Sequence, residues 1–322
     1  MKYENKYFRF DVPKKFNPLK DFAAFCFSCL YKAELTICKP KKIMQKKYKV
    51  CVCAIFKNES PYFREWIEYH KIVGIEHFYL YNNNSEDDYE SVLAPYIADG
   101  TVTLIQWPMA QGQIPAYNDC IEKYSNETEW LSFIDIDEFI YPNTSETVYD
   151  FLKPFQKNRP VVLAYWKCFG ADGKIERDMN ALVIEDFTKC REKYSTVSKI
   201  FYNTAYSFDK NDRHNKVLNH TAWGKYKKTP LPPVNVYNKV CAFGRNPVPK
   251  NALPARFPLQ INHYVTKTYS EYMKKKKRGD AFFKENPHGE AHFLRNERIN
   301  YKSQDFQIWE YLIRLKLAME KK

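Results

Sequence analysis

Between residues 48 and 140, short apolar runs alternate with helical stretches, and few architectures accommodate that rhythm. Lys49-Val50-Cys51-Val52-Cys53-Ala54-Ile55-Phe56 is continuous and rich in β-formers, the pattern of a strand buried on both faces. Lys57-Asn58-Glu59 ends it. Ser60-Pro61 reads as a helix N-cap with proline at the first helical position, and Gly74 stops the helix that carries Trp66, Ile67 and Ile72. Residues 77–81 form a second apolar run and lead into the polar loop 82–88. Helices are predicted over 89–98 and 114–124, with a strand over 102–106 between them. This alternation implies right-handed crossovers and an α/β fold, its mostly parallel central sheet covered by helices on both faces.

The run Trp130-Leu131-Ser132-Phe133-Ile134-Asp135-Ile136-Asp137-Glu138-Phe139-Ile140 places three carboxylates in four positions of an apolar stretch. Ionised carboxylates cost several kcal/mol to desolvate, so these belong at a strand end, against water, a cation or a ligand. Asp135 and Asp137 are two apart, and in extended chain they share a face and can grip one ion. Oxygen ligands of this kind suit Mg²⁺ or Mn²⁺, which in turn suits a diphosphate. The clusters Lys57-Asn58-Glu59, Asn82 to Asp88 and Asp135 to Glu138 all fall at carboxyl ends of strands, where such sheets bind ligands. No glycine-rich phosphate loop is present, so phosphates are left to the metal and to basic side chains.

A formal charge of +13 fits attraction to phosphates without choosing among nucleic acid, sugar nucleotides and anionic lipid. A nucleic-acid groove would not centre on three carboxylates, and no RNP-like or helix-turn-helix pattern appears. A metal-dependent nucleotidyltransferase shares the need for paired acids and stays open on these residues. The nine cysteines form one C-x-x-C, Cys26 and Cys29, with no second pair at zinc-site spacing, which points to free thiols in a reducing cytoplasm. Residues 1–47 read as an appended segment closed by a basic run, residues 48–265 as the main domain and residues 266–322 as a basic helical region. Residues 22–30 are too short for a bilayer, which needs about 20 apolar residues. Lys274-Lys275-Lys276-Lys277-Arg278 and the apolar positions after Phe306 fit either peripheral contact with an anionic membrane, at its inner face, or a core-packing terminal helix preceded by a solvated charge run. The proline-rich stretch 225–258 reads as irregular, and His214 and His220 as polar or capping residues.

Taken together, Lys57-Asn58-Glu59, Glu65-Trp66-x-x-Tyr69-His70, Gly74, Tyr81-x-Asn83-x-Ser85, Gln113 with Ala116-Tyr117, and Phe133 to Phe139 resemble glycosyltransferase family 92. The likeness continues through Phe169-Gly170, Val183-Ile184-Glu185, Lys199-Ile200 and Ile261-Asn262-His263-Tyr264, and covers roughly residues 48 to 280. It implies a GT-A-like fold with an irregular C-terminal elaboration, a UDP-sugar donor, Mn²⁺ (or Mg²⁺) on the D-x-D acids, and inversion at the anomeric carbon. It also implies donor contacts at Lys57, Asn58, Glu59, Asn82, Asn83, Gln113, Tyr117 and Asp135. Where relatives read Tyr-Asp-Asn this chain has Tyr81-Asn82-Asn83, a change that bears on donor preference if that position touches the nucleotide. GT-A enzymes commonly deprotonate the acceptor hydroxyl with a carboxylate early in a helix placed like the one predicted over 181–191, so the resemblance implies Glu185 as the candidate base. A metal of about six ligands has vacancies beyond two aspartates and two phosphate oxygens, and the family presents a histidine from its Asn-His-Tyr block, so His263 is the candidate third ligand. The resemblance suggests galactose as the sugar. The lack of an anchor or luminal disulfides suggests a bacterial surface glycan or glycolipid as acceptor.

Overall fold

The computed structural model describes residues 8–9, 18–41, 43–242, 257–279, 281–284 and 289–320. Helix α1 (Pro18–Ile37) precedes the alternating part of the chain: β1 (Tyr48–Phe56), α2 (Ser60–Ile72), β2 (His77–Asn82), α3 (Tyr89–Ala98), β3 (Val102–Gln106), α4 (Gln113–Tyr124) and β4 (Thr128–Phe133). After these come β5 (Glu138–Pro142), β6 (Val161–Cys168), β7 (Ser198–Asn203) and β8 (Leu259–His263), then α5 (Tyr269–Arg278), α6 (Glu290–Asn300) and α7 (Leu312–Glu320). The central sheet runs β3-β2-β1-β4-β7-β6-β8-β5, with Val234–Asn235 added beside β6. Its first four strands are parallel, β7 is antiparallel to both neighbours, and β8 is parallel to β6 but antiparallel to β5. This is the GT-A-like, mostly parallel layout that the resemblance implied.

Alternation along β1 explains why its sequence is apolar throughout. Val50, Val52, Ala54 and Phe56 enter a core shared with Phe63, Trp66 and Ile67 of α2, whereas Cys51, Cys53 and Ile55 enter a second core with Ala116, Tyr117 and Cys120 of α4. Gly74 ends α2 at φ +90°, where a Cβ would meet Thr147 Cβ at 2.9 Å, so both backbone and packing call for glycine. The nine cysteines are all free thiols.

Two local expectations are corrected. The helix predicted over 181–191 is a single turn, Val183–Asp186, followed by the short strand Lys189–Cys190. Glu65 caps the start of this turn, accepting from the amides of Val183 (2.7 Å) and Ile184 (3.0 Å), while Asp172 takes the amides of Thr188 (3.0 Å) and Lys189 (2.8 Å), which a longer helix would have used. Nor do Asp135 and Asp137 sit in extended chain. β4 ends at Phe133, and the Glu138 amide donates to the Asp135 carbonyl at 3.0 Å, closing a turn between β4 and β5. In the proline-rich stretch the described part forms strands Gly224–Tyr226, Thr229–Leu231 and Val234–Asn235, while residues 243–256 lie outside the described residues.

Candidate active site

The Glu65-Trp66-x-x-Tyr69-His70 block builds the floor of the site without entering it. Trp66 Nε1 donates to the Glu138 carbonyl (2.9 Å), Tyr69 Oη to the Ile140 carbonyl (2.9 Å), and the Ile140 amide to His70 Nε2 (3.1 Å). His70 Nδ1 donates to the Trp66 carbonyl at 2.7 Å, which fixes the neutral tautomer, and burial pushes the imidazole down to about 3. One helix face thus clamps the backbone of β5, and with it the turn that carries the acids.

That turn opens onto a cleft of about 1330 Å³ whose lining includes Lys57, Glu59, Asn83, Gln113, Asp135, Asp137, His220, His263, Lys275 and Arg278. The acids meet cations from three elements. Lys199 of β7, with no exposed side-chain surface, reaches Asp135 Oδ2 at 2.8 Å and Glu138 Oε2 at 3.1 Å. Lys275 of α5 bonds Asp137 Oδ2, and His263 at the end of β8 places Nε2 3.6 Å from Asp137 Oδ1. Burial opposes the charge on Asp137, but Lys275 and His263 overcome it and hold the carboxyl well below its usual range. Burial also opposes the charge on His263, yet Asp137 raises the imidazole to about 10. Glu138 goes the other way: burial, only partly offset by Lys199, lifts it to about 7. Asp137 is therefore a buried, paired acid, not the solvent-facing one that a strand end suggests.

A cationic rim of the cleft is built by α5. Thr268 and Glu271 form a reciprocal capping box at its start, with the Glu271 amide 3.2 Å from Thr268 Oγ1 and the Thr268 amide 3.1 Å from Glu271 Oε2. Lys275 and Arg278, three apart, then project from one face of the helix. Arg278 bonds the Glu59 carboxylate and the Asn58 carbonyl (2.8 Å), and Lys267 lies 3.8 Å from Glu59 Oε2. The cationic run read as a membrane stripe is therefore divided, with three of its members, Lys275, Lys276 and Arg278, lining the cleft.

Other expected donor contacts are spent on structure. Asn58, at φ +51°, accepts from the Glu86 amide at 2.7 Å, and its own amide donates to Ser85 Oγ at 2.9 Å. Asn82 is buried and lies off the cleft. Its Nδ2 donates to Gln106 Oε1 at 2.7 Å, and its Oδ1 accepts from the Ser85 amide at 2.9 Å. An aspartate could not make the first bond, so the departure from the family pattern has a structural partner in Gln106. Tyr117 is wholly buried, and with Gln113 it steadies Asp135 Oδ1, at 3.5 and 3.4 Å respectively. Glu185 stands outside the cleft lining, its carboxylate 2.8 Å from Lys316 at the surface. His214 is bonded to Asp212 (2.7 Å), and His220 faces the cleft with Nδ1 donating to the Ser198 carbonyl at 2.9 Å. Sequence reading did not weigh Lys199 as a site residue, although a lone lysine among Ile200, Phe201 and Tyr202 is itself a sign of a buried partner.

The residues fit a divalent cation in chemistry. Asp137 Oδ1 is buried with no hydrogen-bond partner, faces an imidazole nitrogen, and belongs to an oxygen-and-imidazole donor set suited to Mn²⁺. Among the described residues no three His, Cys, Asp or Glu side chains stand together at metal-holding spacing. Lys199 and Lys275 occupy the carboxylate oxygens instead.

Comparison with known proteins gives a family match, described as Glycosyltransferase family 92, over residues 46–287. A glycosyltransferase family 92 protein of Ricinus communis is 33% identical over 110 residues, 34% of this chain and 20% of that protein. The beta-1,4-galactosyltransferase galt-1 of Caenorhabditis elegans is 31% identical over 108 residues, 30% of this chain and 25% of that protein. The chain thus spans about a fifth to a quarter of the length of these relatives. Among solved structures, S. aureus TarS in complex with UDP is a distant likeness, with a TM-score of 0.34 and 17% identity over 49% of this chain and 47% of that one.

Proposed function

The chain belongs to glycosyltransferase family 92, and from that premise we propose that it transfers a hexose, galactose first among the candidates, from a UDP-sugar to a glycan or glycolipid acceptor with inversion. The observation that carries this reading is the cleft at the carboxyl ends of the parallel strands, lined by Asp135, Asp137, Lys275 and Arg278, with Lys199 buried behind Asp135. Galactosyltransferase relatives support the choice of sugar. Asp135, Asp137 and His263 would hold Mn²⁺ or Mg²⁺, which supplies positive charge to the diphosphate leaving group. Lys275 and Arg278 add further charge along the same rim, and Lys199 keeps Asp135 ionised and oriented. Glu185, paired with Lys316 at the surface, is given no part in proton transfer here. The free thiols support a reducing compartment, and a bacterial surface glycan is the acceptor we favour. Peripheral contact with an anionic membrane belongs to the same reading, although Lys275 and Arg278 are engaged in the cleft.

The reading is tested by incubating the protein with UDP-galactose, UDP-glucose and UDP-N-acetylglucosamine in turn, with Mn²⁺, and following released UDP. Turnover of one donor above the others supports hexosyl transfer. Release of pyrophosphate from a nucleoside triphosphate, with no UDP from any sugar donor, would assign the cleft to nucleotidyl transfer instead.

A further inference from the structure

Helix α1 turns an apolar side to solvent. Leu19, Phe22, Phe25, Leu30 and Ile37 are 82, 68, 60, 59 and 76% exposed. At about 100° per residue, Leu19, Ala23, Cys26, Leu30, Ala33 and Ile37 stack into one stripe, and Phe22, Phe25 and Cys29 widen it on one side. All nine are exposed. The opposite side of the helix is fastened to the body: Leu35 is wholly buried, and the Tyr31 ring meets Trp223 edge-on at 5.4 Å. Lys32 is exposed beside the stripe, and Lys39 and Lys41 follow the helix directly, Lys41 exposed.

We propose that this stripe docks on the surface of an anionic lipid bilayer, with α1 lying in the interface plane and Lys32, Lys39 and Lys41 at headgroup level. No described helix is long and apolar enough to cross a membrane, and α1 cannot be ringed by lipid while Leu35 and Tyr31 hold it to the body. Two features favour lipid over a second copy of the chain. The exposed stripe is broader than the a/d seam of paired helices, and copies carrying +13 each repel one another but are drawn to anionic headgroups. The docking is independent of whether the cleft transfers sugar.

Co-sedimentation of the full chain with phosphatidylglycerol–phosphatidylcholine vesicles tests it. Wild type pellets with these vesicles at low salt, and at least about tenfold less with phosphatidylcholine alone. Phe22→Glu with Leu30→Glu lowers partitioning by about tenfold or more without changing the melting temperature, since both side chains are exposed. Lys39→Gln with Lys41→Gln, which leaves the stripe intact, also weakens binding and flattens its salt dependence. Wild type that stays in the supernatant overturns the proposal, as does undiminished binding by the Phe22/Leu30 variant. A dimer that the same substitutions dissociate, with no vesicle binding, assigns the stripe to a second copy and overturns it equally.

Discussion

The fully buried ammonium of Lys199 lies 2.8 Å from Asp135 Oδ2, and the same nitrogen is 3.1 Å from Glu138 Oε2. A cation from β7 thus fixes the two ends of the acidic turn at once. Removing one partner of a buried ion pair leaves the others uncompensated, at a cost of about 3–5 kcal/mol. Lys199→Met should lose about that much in urea unfolding, and adding Glu138→Gln should recover part of it. Additive losses would mean that the two residues are not coupled.

His263 gives stability a pH dependence of definite sign. Its folded value, raised to about 10, stands above the ordinary 6.5, so its contribution is fully present below pH 6.5 and is lost as pH rises through 10. Melting temperatures measured in chelator should therefore fall across that window, and His263→Gln should flatten the fall. Because an imidazole must lose its proton to bind a metal, Mn²⁺ binding at neutral pH should also release protons, a quantity read by calorimetry in buffers of differing ionisation enthalpy.

The alternating part of the fold was legible because β1 carries two cores on alternate residues, so its run is apolar whichever face is read. The acids stood out because ionised carboxylates in an apolar run need water, a cation or a ligand beside them, and the structure gives them Lys199 and Lys275. What local sequence could not show is which distant group each side chain meets. Asp172 takes the amides of Thr188 and Lys189 that a helix over 181–191 would have used. Lys275 and Arg278 look like surface charge until α5 is placed against the cleft. The T-x-x-E of Thr268 and Glu271 was the available sign that this helix begins where its fourth and seventh residues onward, Tyr272 and Lys275, can turn inward.

Asn82 offers a clean discrimination between structure and donor choice. Asn82→Asp loses the donation to Gln106 and buries a charge beside that carbonyl, so it should cost about 1–3 kcal/mol while UDP affinity per folded molecule stays as in wild type. A changed preference among UDP-sugars, at unchanged stability, would place this residue in the donor pocket.

Lys275 is 40% exposed on its side chain but pairs with the buried Asp137, so its loss should cost about 1–3 kcal/mol of stability, and affinity is compared per folded molecule. Lys275→Gln should weaken UDP binding by about tenfold, the scale of one charge-assisted bond to phosphate. Isothermal titration at two salt concentrations reads both the affinity and its screening. Unchanged affinity would remove Lys275 from the phosphate rim.

The central claim is that Asp137 organises a divalent cation and the donor diphosphate within this cleft. Release of UDP from UDP-galactose, measured with Mn²⁺, with EDTA, and in an Asp137→Asn protein whose circular dichroism matches wild type, tests it most directly. The account predicts turnover that Mn²⁺ supports, that EDTA abolishes, and that Asp137→Asn reduces by about a hundredfold, the upper end of the loss seen when only an outer partner of a metal ligand is removed. Undiminished turnover in EDTA, or wild-type-like turnover by Asp137→Asn, would contradict it.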